Sequence, residues 1–283
     1  MWQLLYCVAH TLTGRYKYVI IGVYLGTNRI FMSKENIERH NQICLMSEVL
    51  IDFNHKKVCN LYQFLSPMVG YRATILLLCL EQKRAVTTEE VKFIGEILSS
   101  LSNKRSFNVP LLVEHPLSFT LVSQLNSYET RLGNTYFISA TPQSKWNKNL
   151  LGDTRKSYEI DLLLELYFMS GDSKNIIAKA ALEYDGPYHL QETNVRKDKF
   201  RDSQIQADDI PVFRLPSQNT HFTPQQGRDE FRARLDIYKE NVNDFIQKRI
   251  FDYESHILND RNYSVTNEKN TISLGSGTNH KYL

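Results

Sequence analysis

The sequence predicts an α/β chain, and three observations carry the prediction. Short β-branched and aromatic runs fill Trp2–Phe31, a capped apolar stripe spans Glu89–Leu101, and Tyr158–Leu215 reads strand, strand, helix, strand. The length of 283 residues lies between one large domain and two ordinary ones, so a boundary is expected. We place it between Pro110 and Leu117. This gives a separate α/β N-terminal region over 1–112, a second domain over 113–258, and a disordered tail over 259–283, where Gly275-Ser-Gly277 sits among few apolar residues.

In chain order, two strands joined by the polar Thr11–Tyr16 segment come first. A helix follows from Ser33, which offers an N-cap, with Ile37, Cys44, Leu45 and Val49 recurring near the helical period. Ala73–Leu80 is a largely apolar run, and periodicity leaves strand and helix both open. Thr87 and Glu90 then stand at capping-box spacing ahead of the stripe Val91, Ile94, Ile97, Leu98 and Leu101. Pro110, Pro116 and Pro142 mark loops around a further helix near Leu117–Leu132, with Gly133 at its C-cap, and Pro142–Ser157 reads as a polar loop.

Beyond that loop, Tyr158–Phe168 and Ile176–Tyr184 read as strands joined by a Ser170–Lys174 turn containing Gly and Asp. Val195–Ala207 reads as an amphipathic helix with Phe200 and Ile205 inward, and Pro211–Leu215 as another short strand. A C-terminal helix opens with Thr223 as N-cap and Pro224 at its first position. It carries Phe231, Leu235, Tyr238, Val242, Phe245 and Ile246 on one face.

Composition narrows the function classes. Sixteen Tyr and 14 Phe exclude disorder throughout, and the low Gly and Pro content excludes a collagen-like chain. The longest apolar run, Ile75–Leu80, is far short of the roughly 20 residues of a membrane span, so no membrane partner is expected. Cys7, Cys44, Cys59 and Cys79 match no zinc spacing, and the expectation is reduced thiols in an intracellular, reducing compartment. The acid-free stretch before Glu35 leaves organellar targeting open. Residues 1–150 carry 16 Lys and Arg against 10 Asp and Glu, and the remainder 18 against 21, a balance that permits nucleic-acid contact without demanding it. The phosphate-loop, nucleophile-elbow, zincin and dinucleotide motifs are absent.

The residues that can carry chemistry lie in the second half. Asp161 sits on one predicted strand, Glu183 and Asp185 end the next, and Glu129 lies on the predicted helix before them. Carboxylates on neighbouring strands converge, and an ion such as Mg²⁺ needs oxygen ligands of this kind. Lys199 or Arg201 on the following helix would neutralise charge developing on a phosphate. Bland roles compete with each assignment. Asp185-Gly186-Pro187 also makes a turn, His189 alone is more often a satisfied structural histidine, and Arg196–Arg201 has the composition of a solvated helix face. Asp161 precedes Leu162-Leu-Leu164 in an apolar run, so an acid there wants a partner. A looser acid and acid-x-lysine spacing, Asp52 with Glu81-Gln-Lys83, is of a kind that arises by chance.

Ala181-Leu-Glu-Tyr-Asp-Gly-Pro-Tyr-His-Leu190 resembles the E-x-D-G-P-x-H signature of RAP domains. Asp198–Asp202 followed by Ile210–Leu215 is similar to the very-short-patch-repair endonucleases, and both groups belong to the PD-(D/E)XK nuclease-like superfamily. The resemblance covers about Ser127 to Ser217. It implies a small mixed sheet flanked by helices and Mg²⁺- or Mn²⁺-dependent phosphodiester hydrolysis on nucleic acid, with RNA favoured. It also implies Asp161 and Glu183 as metal ligands with the Tyr184 carbonyl, Glu129 or Asp185 assisting, and Lys199 or His189 near the phosphate. Lys197, Lys199 and Arg201 would contact the nucleic acid. Asp185 stands where the superfamily usually has lysine. Either Lys199 supplies the cation from the helix, or the fold binds RNA without cutting it; a third alternative is an interaction or effector protein using the fold as scaffold.

Overall fold

The structure, a computed structural model, describes Ile51, Phe53, Phe107 and residues 55–83, 86–101, 119–125, 132–147, 157–186, 192–216 and 224–275. The elements predicted before Ile51, the boundary between Pro110 and Leu117, and Cys7, Cys44, Asp52, Glu129 and His189 lie outside these residues. The architecture is α/β, a five-stranded mixed sheet flanked by helices.

Three helices come first, α1 (Lys56–Val69), α2 (Tyr71–Gln82) and α3 (Thr88–Leu101). Gly70, with φ 79°, breaks α1 from α2 in a conformation that costs glycine little. The open question at Ala73–Leu80 resolves to helix, and every residue from Ala73 to Glu81 is buried, as befits a helix apolar all round. Glu81, buried at its end, is met by Lys57 Nζ at 2.6 Å and the Thr88 hydroxyl at 2.9 Å. These bonds hold its carboxyl below the usual range even though burial pushes the other way. Glu81 is therefore a link between helices. The capping box at α3 forms as expected, with the Glu90 N–H donating to Thr87 Oγ1 at 3.2 Å and the Thr87 N–H returning to the Glu90 carboxylate.

The sheet runs β1 (Leu121–Gln124), β2 (Tyr136–Asn147), β3 (Ser157–Ser170), β4 (Ser173–Asp185), β5 (Val212–Pro216), in that order. All neighbours are antiparallel except β4 and β5, which are parallel. The β3–β4 hairpin is the one the sequence predicts, its two-residue turn carrying Gly171 at φ 58°.

Two expectations are corrected here. Leu121–Gln124 is an edge strand and not part of a helix, with Leu121 facing Ala140 on β2. The leucines at 117, 121 and 125 are four apart, a spacing that suits a helix and also one face of a strand, and the buried Leu121, Ser123 and Leu125 show the strand solution. Pro142 is not in a loop either. β2 carries through it to Asn147, and Trp146 stacks on Tyr158 of β3 with ring centroids 5.9 Å apart.

One core joins α1–α3, a sheet face and the long C-terminal helix α5 (Pro224–Gly275). Phe93 of α3 packs against the rings of Tyr184 and Tyr238, Lys239 reaches Glu96 at 2.6 Å, and buried Tyr136 donates to buried Glu254 at 2.7 Å. The described part of residues 1–112 is thus helical and shares its core with the sheet. Helix α5 continues past Asn259, where a disordered tail is predicted, to Gly275; no Gly or Pro interrupts it after Gly227. On the other side, α4 (Glu192–Gln206) connects β4 to β5, and Ile205 joins Ile160, Ala181 and Ile210 in a small second cluster. Among the described residues Cys59 and Cys79 form no disulfide, and no helix is long and apolar enough to cross a membrane.

Candidate active site

Adjacent strands and α4 bring the predicted acids together. Leu162 pairs with Leu182, so Asp161 stands level with Glu183 on the next strand, and Glu183 is itself paired with Arg214 of β5. The Tyr184 N–H donates to Asp161 Oδ2 at 2.8 Å. Glu183 is 3% exposed, and its Oε2 accepts from Arg201 Nη2 at 2.7 Å while its Oε1 is buried with no hydrogen-bond partner.

Arg201 also lies 3.9 Å from Asp198 and 3.8 Å from Asp202. Arg214 grips Asp202 through Nε and Nη2, each at 2.6 Å, and donates through Nη1 to Asp185. This two-pronged hold is the geometry at which arginine exceeds lysine.

Among the described residues, Arg201 pairs with Glu183, Asp198 and Asp202, and Arg214 pairs with Asp185 and Asp202. Burial, and then the neighbouring charge of Asp161, push the Glu183 carboxyl up to about 8, with Arg201 and Arg214 pulling the other way. Tyr238 beneath the strands donates to the Phe213 carbonyl at 3.1 Å, and burial next to Glu183 and Asp161 raises its hydroxyl well above the usual range. Arg214 is held firmly protonated: burial opposes its charge, but Asp202 and Asp185 outweigh that.

Local sequence explains the arrangement. On α4 the residues Asp198, Arg201, Asp202 and Ile205 follow the 3.6 period and turn toward the sheet, a mostly charged inner face that a search for apolar stripes passes over. Phe200, predicted inward, is on the opposite side and 57% exposed. Lys197 and Lys199 are exposed as well, so the cation beside the acids is Arg201 and not Lys199. Arg214 and Asp202 were not singled out as site residues in the sequence; a charged residue at mid-strand was the available signal.

Asp161 and Glu183 are the residues that could hold a divalent cation, since Glu183 Oε1 has no hydrogen-bond partner. Asp185 is committed to Arg214, and among the described residues no group of three or more His, Cys, Asp or Glu is gathered for a metal. Two carboxylates suffice for Mg²⁺, which keeps several of its waters. Compared with family models, curated proteins and solved structures, the chain matches none.

Proposed function

We propose that the chain carries a PD-(D/E)XK-like, RAP-like domain that hydrolyses phosphodiester bonds in nucleic acid, RNA favoured, with Mg²⁺ or Mn²⁺. The observation behind this reading is the unpartnered, buried Glu183 oxygen beside Asp161. A buried carboxylate oxygen without a partner is costly and two neighbouring carboxylates repel, so a proton or a cation at Oε1 would stabilise the pair. A bound divalent ion would polarise the phosphate and activate a water. Asp161 is oriented by the Tyr184 N–H, and Glu183, buried, is fixed by Arg201 of α4. Arg201 takes the place the superfamily gives to lysine, with a charge that no physiological pH removes.

The test is cleavage of labelled single- and double-stranded RNA and DNA with Mg²⁺ or Mn²⁺, comparing wild type, Asp161→Ala, Glu183→Ala and EDTA. Metal-dependent cutting that both variants lose supports the nuclease; cutting unchanged in both ends it. A second reading, a module of this fold that binds nucleic acid without cutting, draws on the Arg201–Glu183 ion pair, an internal cation already on the acid, and on the solvent-facing Lys199. Binding unaffected by EDTA with no cleavage selects it.

A further inference from the structure

Gln143 has φ 50° inside β2, in the left-handed region that a non-glycine residue seldom adopts within a strand. Its neighbours pair regularly, Pro142 with Leu162 and Ser144 with Ile160, so Gln143 stands across from Asp161, and the ladder is interrupted at that one level. On β3 the effect is a change of side. Ile160 and Leu163, three apart, both pack in the small cluster under α4, whereas Leu162 between them belongs to the main core. In an undistorted strand Ile160 and Leu162 would share a face. Nothing in the Gln143 side chain compensates for the conformation, since its Nε2 is buried without a hydrogen-bond partner. The surrounding fold holds the kink in place.

We infer that the left-handed backbone at Gln143 is a positioning device that shifts β3 so that the Asp161 carboxylate leaves the regular ladder, meets the Tyr184 N–H and comes to lie beside Glu183. Gln143 is a positioning residue acting through Asp161, in the way that bulges near active sites re-aim a side chain. The functional weight of the device rests on the reading of Asp161 and Glu183 as the active pair; its geometry does not.

The test uses the full chain with Gln143→Val, Gln143→Gly and Gln143→Asn. Valine resists positive φ, whereas glycine and asparagine accept it. Two readouts are taken, hydrogen exchange of the Tyr184 amide by NMR and metal-dependent cleavage, alongside the thermal midpoint. Gln143→Val is expected to exchange the Tyr184 amide at least about tenfold faster, as follows from losing a hydrogen bond to a charged group, and to cut at least about tenfold more slowly, with an unchanged or higher midpoint. Gly and Asn keep the wild-type exchange and cleavage. Wild-type exchange in the Val variant overturns the inference, and so does a Gly variant that exchanges like Val, which would assign the effect to the side chain. If Val does not fold, the Gly variant decides alone, since loss of Tyr184 protection there is fatal to the proposal. A wild-type protein that cuts nothing defeats the nuclease reading while the exchange data still decide this one.

Discussion

Replacing Glu183 by Gln removes a titrating charge from the core and should remove the loss of stability that this residue imposes as pH rises. In the folded chain this carboxyl is 3% exposed and titrates at about 8, while in the unfolded chain it returns to the ordinary 4.5. Between those values the native state holds the extra proton, so the contribution of Glu183 to stability is complete below pH 4.5 and is lost as pH rises toward 8. At about 1.4 kcal/mol per unit, the loss has an upper bound of roughly 5 kcal/mol. Gln has the same shape and stays neutral, and Arg201 keeps Asp198 and Asp202 within 4 Å to take its charge. The variant is expected to match wild type within about 1 kcal/mol at pH 5 and to exceed it by about 2–4 kcal/mol at pH 8.5. Urea unfolding followed by circular dichroism from pH 5 to pH 9 measures both profiles. Parallel profiles, or a variant less stable than wild type at pH 8.5, would refute the claim that Glu183 is a strained, proton-holding acid.

Three further outcomes follow from the geometry. Lys199→Ala should change cleavage less than about twofold because the side chain is exposed, whereas Arg201→Ala should lower it about 10- to 100-fold by releasing Glu183; steady-state cleavage rates separate the two. Gly95→Ala places a Cβ 2.5 Å from Leu65 Cδ2 in a fully buried contact between α1 and α3. The overpacking, about 1–3 kcal/mol, exceeds the roughly 1 kcal/mol of helix propensity gained, so chemical denaturation should show a net loss near 1 kcal/mol. Thr87→Ala removes the hydroxyl that accepts from the Glu90 N–H and should cost about 1 kcal/mol in the same assay.

Legibility in the sequence followed the physics of each segment. The β3–β4 hairpin was readable because apolar runs flank a Gly-Asp turn, and α3 because its cap and stripe agree. The strand β1 was not, since leucines four apart fit both periods, and β2 was hidden by Pro142, which marks a loop in most settings. At the site, Asp161 and Glu183 could be named because acids within apolar strands need partners, and the structure sets them side by side. The cation could not be chosen from sequence alone. Lys199 and Arg201 are two residues apart on a helix, so one turns inward and the other out, and the phase was obscured because the inward face is itself charged. Gln143 left no trace in the sequence, since a left-handed residue other than glycine has no signature in composition or spacing.

The parallel pairing of β4 with β5 has a consequence for the whole chemistry of the site. Two strands running the same way cannot be joined by a tight turn; the chain must climb back over one face of the sheet before it can descend again. Here that return path is α4, and it passes over the face on which Glu183 meets Arg201. The dryness that makes the acid hold its proton is therefore a by-product of strand direction. With β5 reversed, a short hairpin would suffice, and Glu183 would lose the cover of α4.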